Sequence, residues 1–158
     1  MKRPDPKLDL VLERVLDVSV DRVWAAWTTP KHLMKWFCPP PWKVTECQID
    51  LRPGGLFRTL MCGPEGEEMP HVGCYLEVVP KKRLIWTDAL LAGYRPSPKP
   101  FITAIITMEP KGKKTRYIAI AQHKDEATRA EHEKMGFAEG WGTATDQLVA
   151  VATTIKRK

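Results

Sequence analysis

No stretch of this chain approaches the roughly 20 consecutive apolar residues that a membrane-spanning helix needs, which argues against a helical membrane protein. The first residues, MKRPDPKLDL, carry basic side chains but no apolar core and no small-residue cleavage site. A secretory leader is therefore not expected, and a cytoplasmic location is the default. Cysteine is sparse: Cys38, Cys47, Cys62 and Cys74 form no CxxC pair. A zinc ribbon needs two thiolates from one turn on a single ion, and only His71-x-x-Cys74, with Cys62 upstream, comes near that spacing. Free thiols in a reducing compartment are the expected state, with no bound metal. The chain also lacks a G-x-S-x-G elbow, an H-E-x-x-H pair and a phosphate-cradling glycine loop, since Gly54-Gly55 reads as a turn. The four histidines, His32, His71, His123 and His132, show no metal spacing, and no cofactor is expected. Neither a repeat nor a low-complexity linker divides the sequence, so residues 1–158 are expected to form one domain.

What is present is ordinary globular material: 43% hydrophobic and 28% charged residues, enough in a chain of this length to bury a sizeable core. The net charge of +6 suggests a nucleic-acid partner, but its distribution does not. The positive residues fall in short groups (Lys81-Lys82-Arg83, Lys111 to Lys114, Lys156-Arg157-Lys158), each at an expected turn or terminus. They read as solvated turns rather than a phosphate-binding surface.

Period-two alternation from Leu8 to Val18, broken only by Arg14, predicts a first strand. Ser19 stands at an N-cap position with Asp21 in the first turn of a helix over about Val20 to Thr28. Thr29-Pro30 ends that helix and opens a second short one over about Lys31 to Phe37. The Cys38-Pro-Pro-Pro41 run reads as a rigid connector. Six further strands follow, at about Lys43–Leu51, Leu56–Cys62, Met69–Val79, Leu84–Ala89, Phe101–Glu109 and Thr115–His123, separated by Gly- and Pro-rich turns. Links this short predict an antiparallel meander. The loop from Gly93 to Pro100 is expected at the rim of a cavity. Asp125 can cap a helix to about Met135, and Gly136, Gly140 and Gly142 weaken the segment after it. Phe137, Trp141, Ala144, Leu148, Val151 and Ile155 then form one apolar stripe, which a curved antiparallel sheet would receive on its concave side.

The order of strand, two short helices, six strands and a long helix resembles the helix-grip fold of the START/Bet v 1-like (SRPBCC) superfamily. Residue patterns from about Leu10 to Ala152 are similar to those of the activator-of-Hsp90-ATPase-homologue family within it. They include Val23-Trp24 with Trp27-Thr-x-Pro30, Trp36 and the prolines after it, and Gly54-Gly55. Further along come Gly73-x-Tyr75-x-Glu77-Val-x-Pro80, Arg83-Leu84-x-x-Thr87 and Met135-Gly136-Phe137 with Gly140-Trp141. The resemblance implies an α+β domain: a seven-stranded curved antiparallel sheet, two short helices after the first strand, and a long C-terminal helix across the concave face. It also implies a cavity between sheet and helix. In the eukaryotic co-chaperone a separate N-terminal domain engages Hsp90, whereas about nine residues precede the first strand here, so an Hsp90 partnership is not expected. Stand-alone members look like small-molecule binding proteins; some superfamily relatives are polyketide cyclases or aromatases.

A small apolar or aromatic molecule is accordingly the expected partner, with no nucleic acid and no membrane. Trp36, Phe57, Met61, Tyr75, Trp86, Met135 and Trp141 are the candidate wall, and His71 and Arg58 the candidate polar contacts. Trp36 and Trp141 suit a cavity wall and a filled core equally, while Trp24 and Trp27 read as core. His71 reads first as an exposed or core-satisfied histidine, and second as a hydrogen-bond partner for a ligand. No catalytic residue is assigned. A cyclase-, aromatase- or hydrolase-like enzyme using the same pocket and a chaperone-interacting module stand as alternatives. Near Tyr75 the inward face is undecided, because Tyr75 shares parity with Glu77 while Leu76 and Val78 share the other, and a bulge at Gly73 would admit either. Self-association through an exposed sheet edge is compatible with the chain.

Overall fold

The structure, a computed structural model, describes residues 3–155. The basic group Lys156–Lys158 lies outside the described residues. Seven strands form one antiparallel sheet: β1 (Asp9–Leu16), β2 (Lys43–Ile49), β3 (Leu56–Cys62), β4 (Glu68–Val79), β5 (Arg83–Thr87), and the strands numbered β8 (Thr103–Lys111) and β9 (Lys114–Gln122). The short β6 (Leu90–Leu91) and β7 (Arg95–Pro96) pair with each other as a separate ribbon. In the large sheet the order is β1-β9-β8-β5-β4-β3-β2, so the meander from β2 to β9 is completed by β1 returning beside the last strand.

Because β1 and β2 sit at opposite edges, the chain between them must cross the sheet. The crossing is made by α1 (Val20–Thr28), α2 (Pro30–Leu33) and the proline connector, whose Pro40–Pro41 peptide is cis. Ser19 occupies the α1 N-cap position, but its hydroxyl makes no cap bond; its carbonyl accepts from Arg22 and Val23 N–H instead. The second helix is shorter than the expected Lys31–Phe37. After Leu33 the backbone tightens, with Lys35 N–H donating to His32 and Trp36 N–H to Leu33, three residues back.

Two bulges bend the sheet, one on β2 between Val44 and Glu46, the other on β4 between Tyr75 and Glu77. The second resolves the parity conflict at Leu76 rather than at Gly73. With Leu76 as the extra residue, Tyr75 lies opposite Trp86 and Val78 opposite Leu84, and Tyr75, Trp86 and Leu84 are all buried. Gly73 answers a different need: a Cβ there would lie 2.1 Å from the Thr87 carbonyl oxygen, so only glycine permits this approach of β4 to the end of β5.

The segment from Gly93 to Pro100 does not rim a cavity. Gly93 N–H donates to the Gly54 carbonyl and Gly54 N–H to that of Tyr75, at 2.8 and 2.7 Å. Cys74, of opposite parity to Tyr75, is fully buried, and the turn at Ala92–Tyr94 packs against β3 and β4. The β6–β7 ribbon therefore covers the outer face of β3 and β4.

After β9 the chain forms α3 (Glu126–Lys134), capped by Asp125, whose carboxylate accepts from Thr128 N–H at 2.8 Å. Gly136, at φ +94°, breaks the helical course, and α4 (Phe137–Thr154) begins at once. Phe137, Ala144, Leu148 and Ala152 turn into the core with Leu10, Leu12, Leu84, Ile106 and Ala119 of the sheet, while Val151 and Ile155 pack at its margin. Gln147 fastens α4 to the crossing segment, donating to the carbonyls of Trp36 (3.1 Å) and Cys38 (3.0 Å).

Candidate functional site

The inward side chains do not fill the space between sheet and helices. A cavity of about 330 Å³ remains where the α3–α4 junction faces the ends of β3, β4 and β5. Its wall is mostly aromatic. Trp36, Phe37, Trp86, Phe101, Phe137 and Trp141 contribute rings, and Met61 and Met135 contribute thioethers. Met135, at the α3 C-terminus, is 69% exposed and marks the mouth.

Of the nine residues singled out from the sequence, six meet at this cavity: Trp36, Met61, His71, Trp86, Met135 and Trp141. Three do not line it. Arg58 alternates with Phe57 and Thr59, both fully buried, so its side chain points to the outer face and reaches Glu46 at 3.5 Å. Phe57 lies beneath the wall, its ring 5.1 Å from Trp86 and 5.9 Å from His71. Tyr75 stacks on Phe57 at 5.2 Å, one layer further from the cavity. Its hydroxyl is buried without a partner, and burial, with Cys47 nearby, drives its pKa far above the usual phenol range. Trp27 is a core residue that also lines the cavity; its indole N–H donates to the Tyr117 hydroxyl at 3.0 Å.

The polar part of the wall has two clusters. On the strand side His71 Nε2 lies 4.0 Å from Asp88 Oδ2, with the two side chains 17% and 13% exposed. Among the described residues neither ring nitrogen of His71 has a hydrogen-bond partner, and both are out of contact with solvent. Burial lowers the His71 pKa, partly offset by the Asp88 charge, so the imidazole is neutral at neutral pH. Asp88 Oδ1 accepts from Phe101 N–H (2.7 Å) and Ile102 N–H (3.0 Å), which fixes the carboxylate. The Trp86 indole N–H is also buried without a partner.

On the helix side His123 Nδ1 lies 2.8 Å from the Leu8 carbonyl, and His123 Nε2 lies 2.8 Å from His132 Nδ1. A carbonyl only accepts, so His123 Nδ1 carries the proton and its Nε2 accepts from His132 Nδ1–H. His132 Nε2 is then left with a free lone pair. Burial, reinforced by His123, pushes the His132 pKa down to about 4. The Phe101 ring packs 4.9 Å from His132.

Sequence reasoning missed Asp88, Phe37, Phe101 and His132. For Asp88 a signal was available: it continues the parity of Leu84 and Trp86, so a carboxylate stands where the pattern is apolar. The His123–His132 pair joins a strand end to a helix face and leaves no mark in sequence spacing. Among the described residues, no three His, Cys, Asp or Glu side chains could jointly hold a metal ion, and no helix is long and apolar enough to cross a membrane.

A bent seven-stranded antiparallel sheet, crossed by two short helices, gripping a C-terminal helix and enclosing an aromatic cavity, defines a Bet v 1-like helix-grip protein. More particularly, the chain belongs to the family described as Activator of Hsp90 ATPase homolog 1-like protein, which matches residues 17–153. A protein of Nitrosomonas europaea, solved by X-ray crystallography, is 49% identical at a TM-score of 0.92, covering 95% of this chain and 97% of its own. More distant likenesses show the fold alone. An Arthrobacter aurescens protein is 24% identical at a TM-score of 0.82, covering 99% of this chain and 92% of that one. An AHSA1-like protein of Aeromonas hydrophila is 16% identical at 0.74, covering 96% and 99%. No curated protein matches the sequence.

Proposed function

We propose that this protein binds a small, largely apolar or aromatic molecule in the cavity between its sheet and C-terminal helices. The observation that carries the reading is the unfilled cavity itself, walled largely by aromatic rings, with the unpaired imidazole of His71 buried in its wall. A buried polar group without a partner costs about 1–3 kcal/mol, and a ligand that shifts the wall enough to supply the partner removes that cost. The cavity volume of about 330 Å³ falls at the small end of the range for small-molecule sites. Each 100 Å² of apolar ligand surface buried there contributes about 2.5 kcal/mol before the entropic costs of association.

Native mass spectrometry of the purified protein, followed by extraction, tests the reading. Ala144→Trp, which fills the cavity from α4, is the control. A ligand carried by the parent and absent from the folded variant is expected; equal occupancy in both would place the binding site elsewhere. The His71–Asp88 pair also favours a second reading, in which His71 takes a proton from a bound substrate and Asp88 stabilises the imidazolium. Turnover of the extracted ligand that survives His71→Gln would rule that role out.

A further inference from the structure

Charge, rather than shape, narrows the ligand class. Among the described residues that line the cavity, Asp88 alone carries a formal charge once the histidines are neutral, and none is a lysine or arginine. Asp88 Oδ1 is engaged by two backbone N–H groups, but Oδ2 makes no hydrogen bond among the described residues and lies 4.0 Å from His71 Nε2. With Nε2–H turned to that carboxylate, the His71 Nδ1 lone pair is sealed behind the wall, whereas His132 Nε2, its Nδ1–H held by His123, offers one at the cavity. Two open acceptors, one of them anionic, therefore belong to the same aromatic enclosure. The Trp86 and Trp141 N–H groups and the Tyr117 O–H are neutral donors among its walls. A ligand carboxylate would enter beside Asp88 with no cation to pair it, an uncompensated burial of charge. An ammonium group meets the reverse situation. Its N–H bonds have acceptors waiting, its charge is paired by Asp88, and the electron-rich rings of Trp36, Trp86 and Trp141 attract cations. The protein's net charge of +6 does not oppose this, because exposed charges are screened beyond about 8–10 Å at physiological salt.

We propose that the cavity is selective for an amine: a molecule with an apolar or aromatic body and a protonated nitrogen seated against Asp88 Oδ2, between His71 and the tryptophans. This rests on the binding reading above and specifies its ligand chemistry.

The test is a titration of the protein with three matched probes, phenylbutylamine, phenylbutanol and phenylbutyrate, followed by calorimetry and by quenching of the cavity tryptophans. The amine is expected to bind at least roughly tenfold tighter than the alcohol, the value of one charge-assisted hydrogen bond over a neutral one, with the acid weakest. In Asp88→Asn, whose amide oxygen can still accept from Phe101 and Ile102 N–H, the advantage of the amine over the alcohol should disappear. Alcohol affinity should change by less than about threefold. An acid or alcohol bound as tightly as the amine by the parent protein would overturn the amine assignment while leaving the cavity as a binding site. An amine preference that persists in Asp88→Asn would overturn it equally. If none of the three probes binds at millimolar concentration, both the assignment and the binding reading fail. The parent selectivity series decides the matter even if the variant does not fold.

Discussion

His71 illustrates the conflict between stability and binding at a single side chain. Its ring sits between Trp86 and Phe57, at 5.1 and 5.9 Å, in surroundings that would suit a hydrocarbon better. His71→Leu should therefore stabilise the empty protein, because it removes an unpaired buried polar group worth about 1–3 kcal/mol. For a chain of this size each kcal/mol corresponds to about 2–4 °C in Tm, so a higher melting temperature together with lost ligand affinity is expected in thermal unfolding and titration. A lower Tm would show that the imidazole already has a stabilising role in the empty fold. His132 brings a pH dependence. Its pKa falls from the usual 6.5 to about 4 in the folded chain, so between those values the unfolded chain takes up a proton that the native state refuses. Stability is therefore fully present above pH 6.5, declines as the pH falls toward 4, and is not further reduced by this group below it. His71, lowered in the same direction, adds to the decline. Thermal melts of His132→Gln across this window should show a shallower slope than the parent, and an unchanged slope would remove His132 from the account.

At the scale of elements, the α3–α4 junction both shapes the cavity and is the easiest place to damage it. Gly136 holds φ at +94° with open space around its Cβ position, so a side chain there meets backbone strain rather than a clash. Gly136→Ala should cost about 1–2 kcal/mol and weaken ligand binding, since Met135 and Phe137 on either side both line the cavity. Denaturant melts and probe titrations read the two effects separately, and a variant with parent stability would mean that the junction relaxes freely. Elements were legible in the sequence where local chemistry marks their ends. Val20–Thr28 and Leu56–Cys62 fall at the expected positions because Thr29-Pro30, Gly54-Gly55 and Gly63-Pro64 leave the backbone little choice. Where tertiary contact decides, the sequence was less informative. The bulge falls at Leu76 because Tyr75 and Val78 must both face inward, and the 93–100 segment folds outward because Gly54 receives it. Arg14 interrupts the inward parity of β1 at no cost, since β1 is an edge strand and the guanidinium remains exposed. The candidate site was legible as a set of aromatics on the right elements. Its polar half, Asp88 with His71 and His132 with His123, depends on pairings made across the fold.

For the whole molecule, the return of β1 beside β9 has a consequence for biosynthesis. Leu8 and His123, joined by a hydrogen bond at the edge of the sheet, are separated by 115 residues, and every rung of the β1–β9 ladder spans a comparable distance. At ribosomal speeds of about 5–20 residues per second, β1 emerges on the order of ten seconds before its partner exists. Throughout that interval Leu10, Leu12 and Leu16, all buried in the finished sheet, have nothing to pack against. The meander can assemble hairpin by hairpin as it is made, but nascent β1 has to be kept from pairing with other chains until β9 has been made. Within this sheet, the earliest strand made is thus the last to find its place.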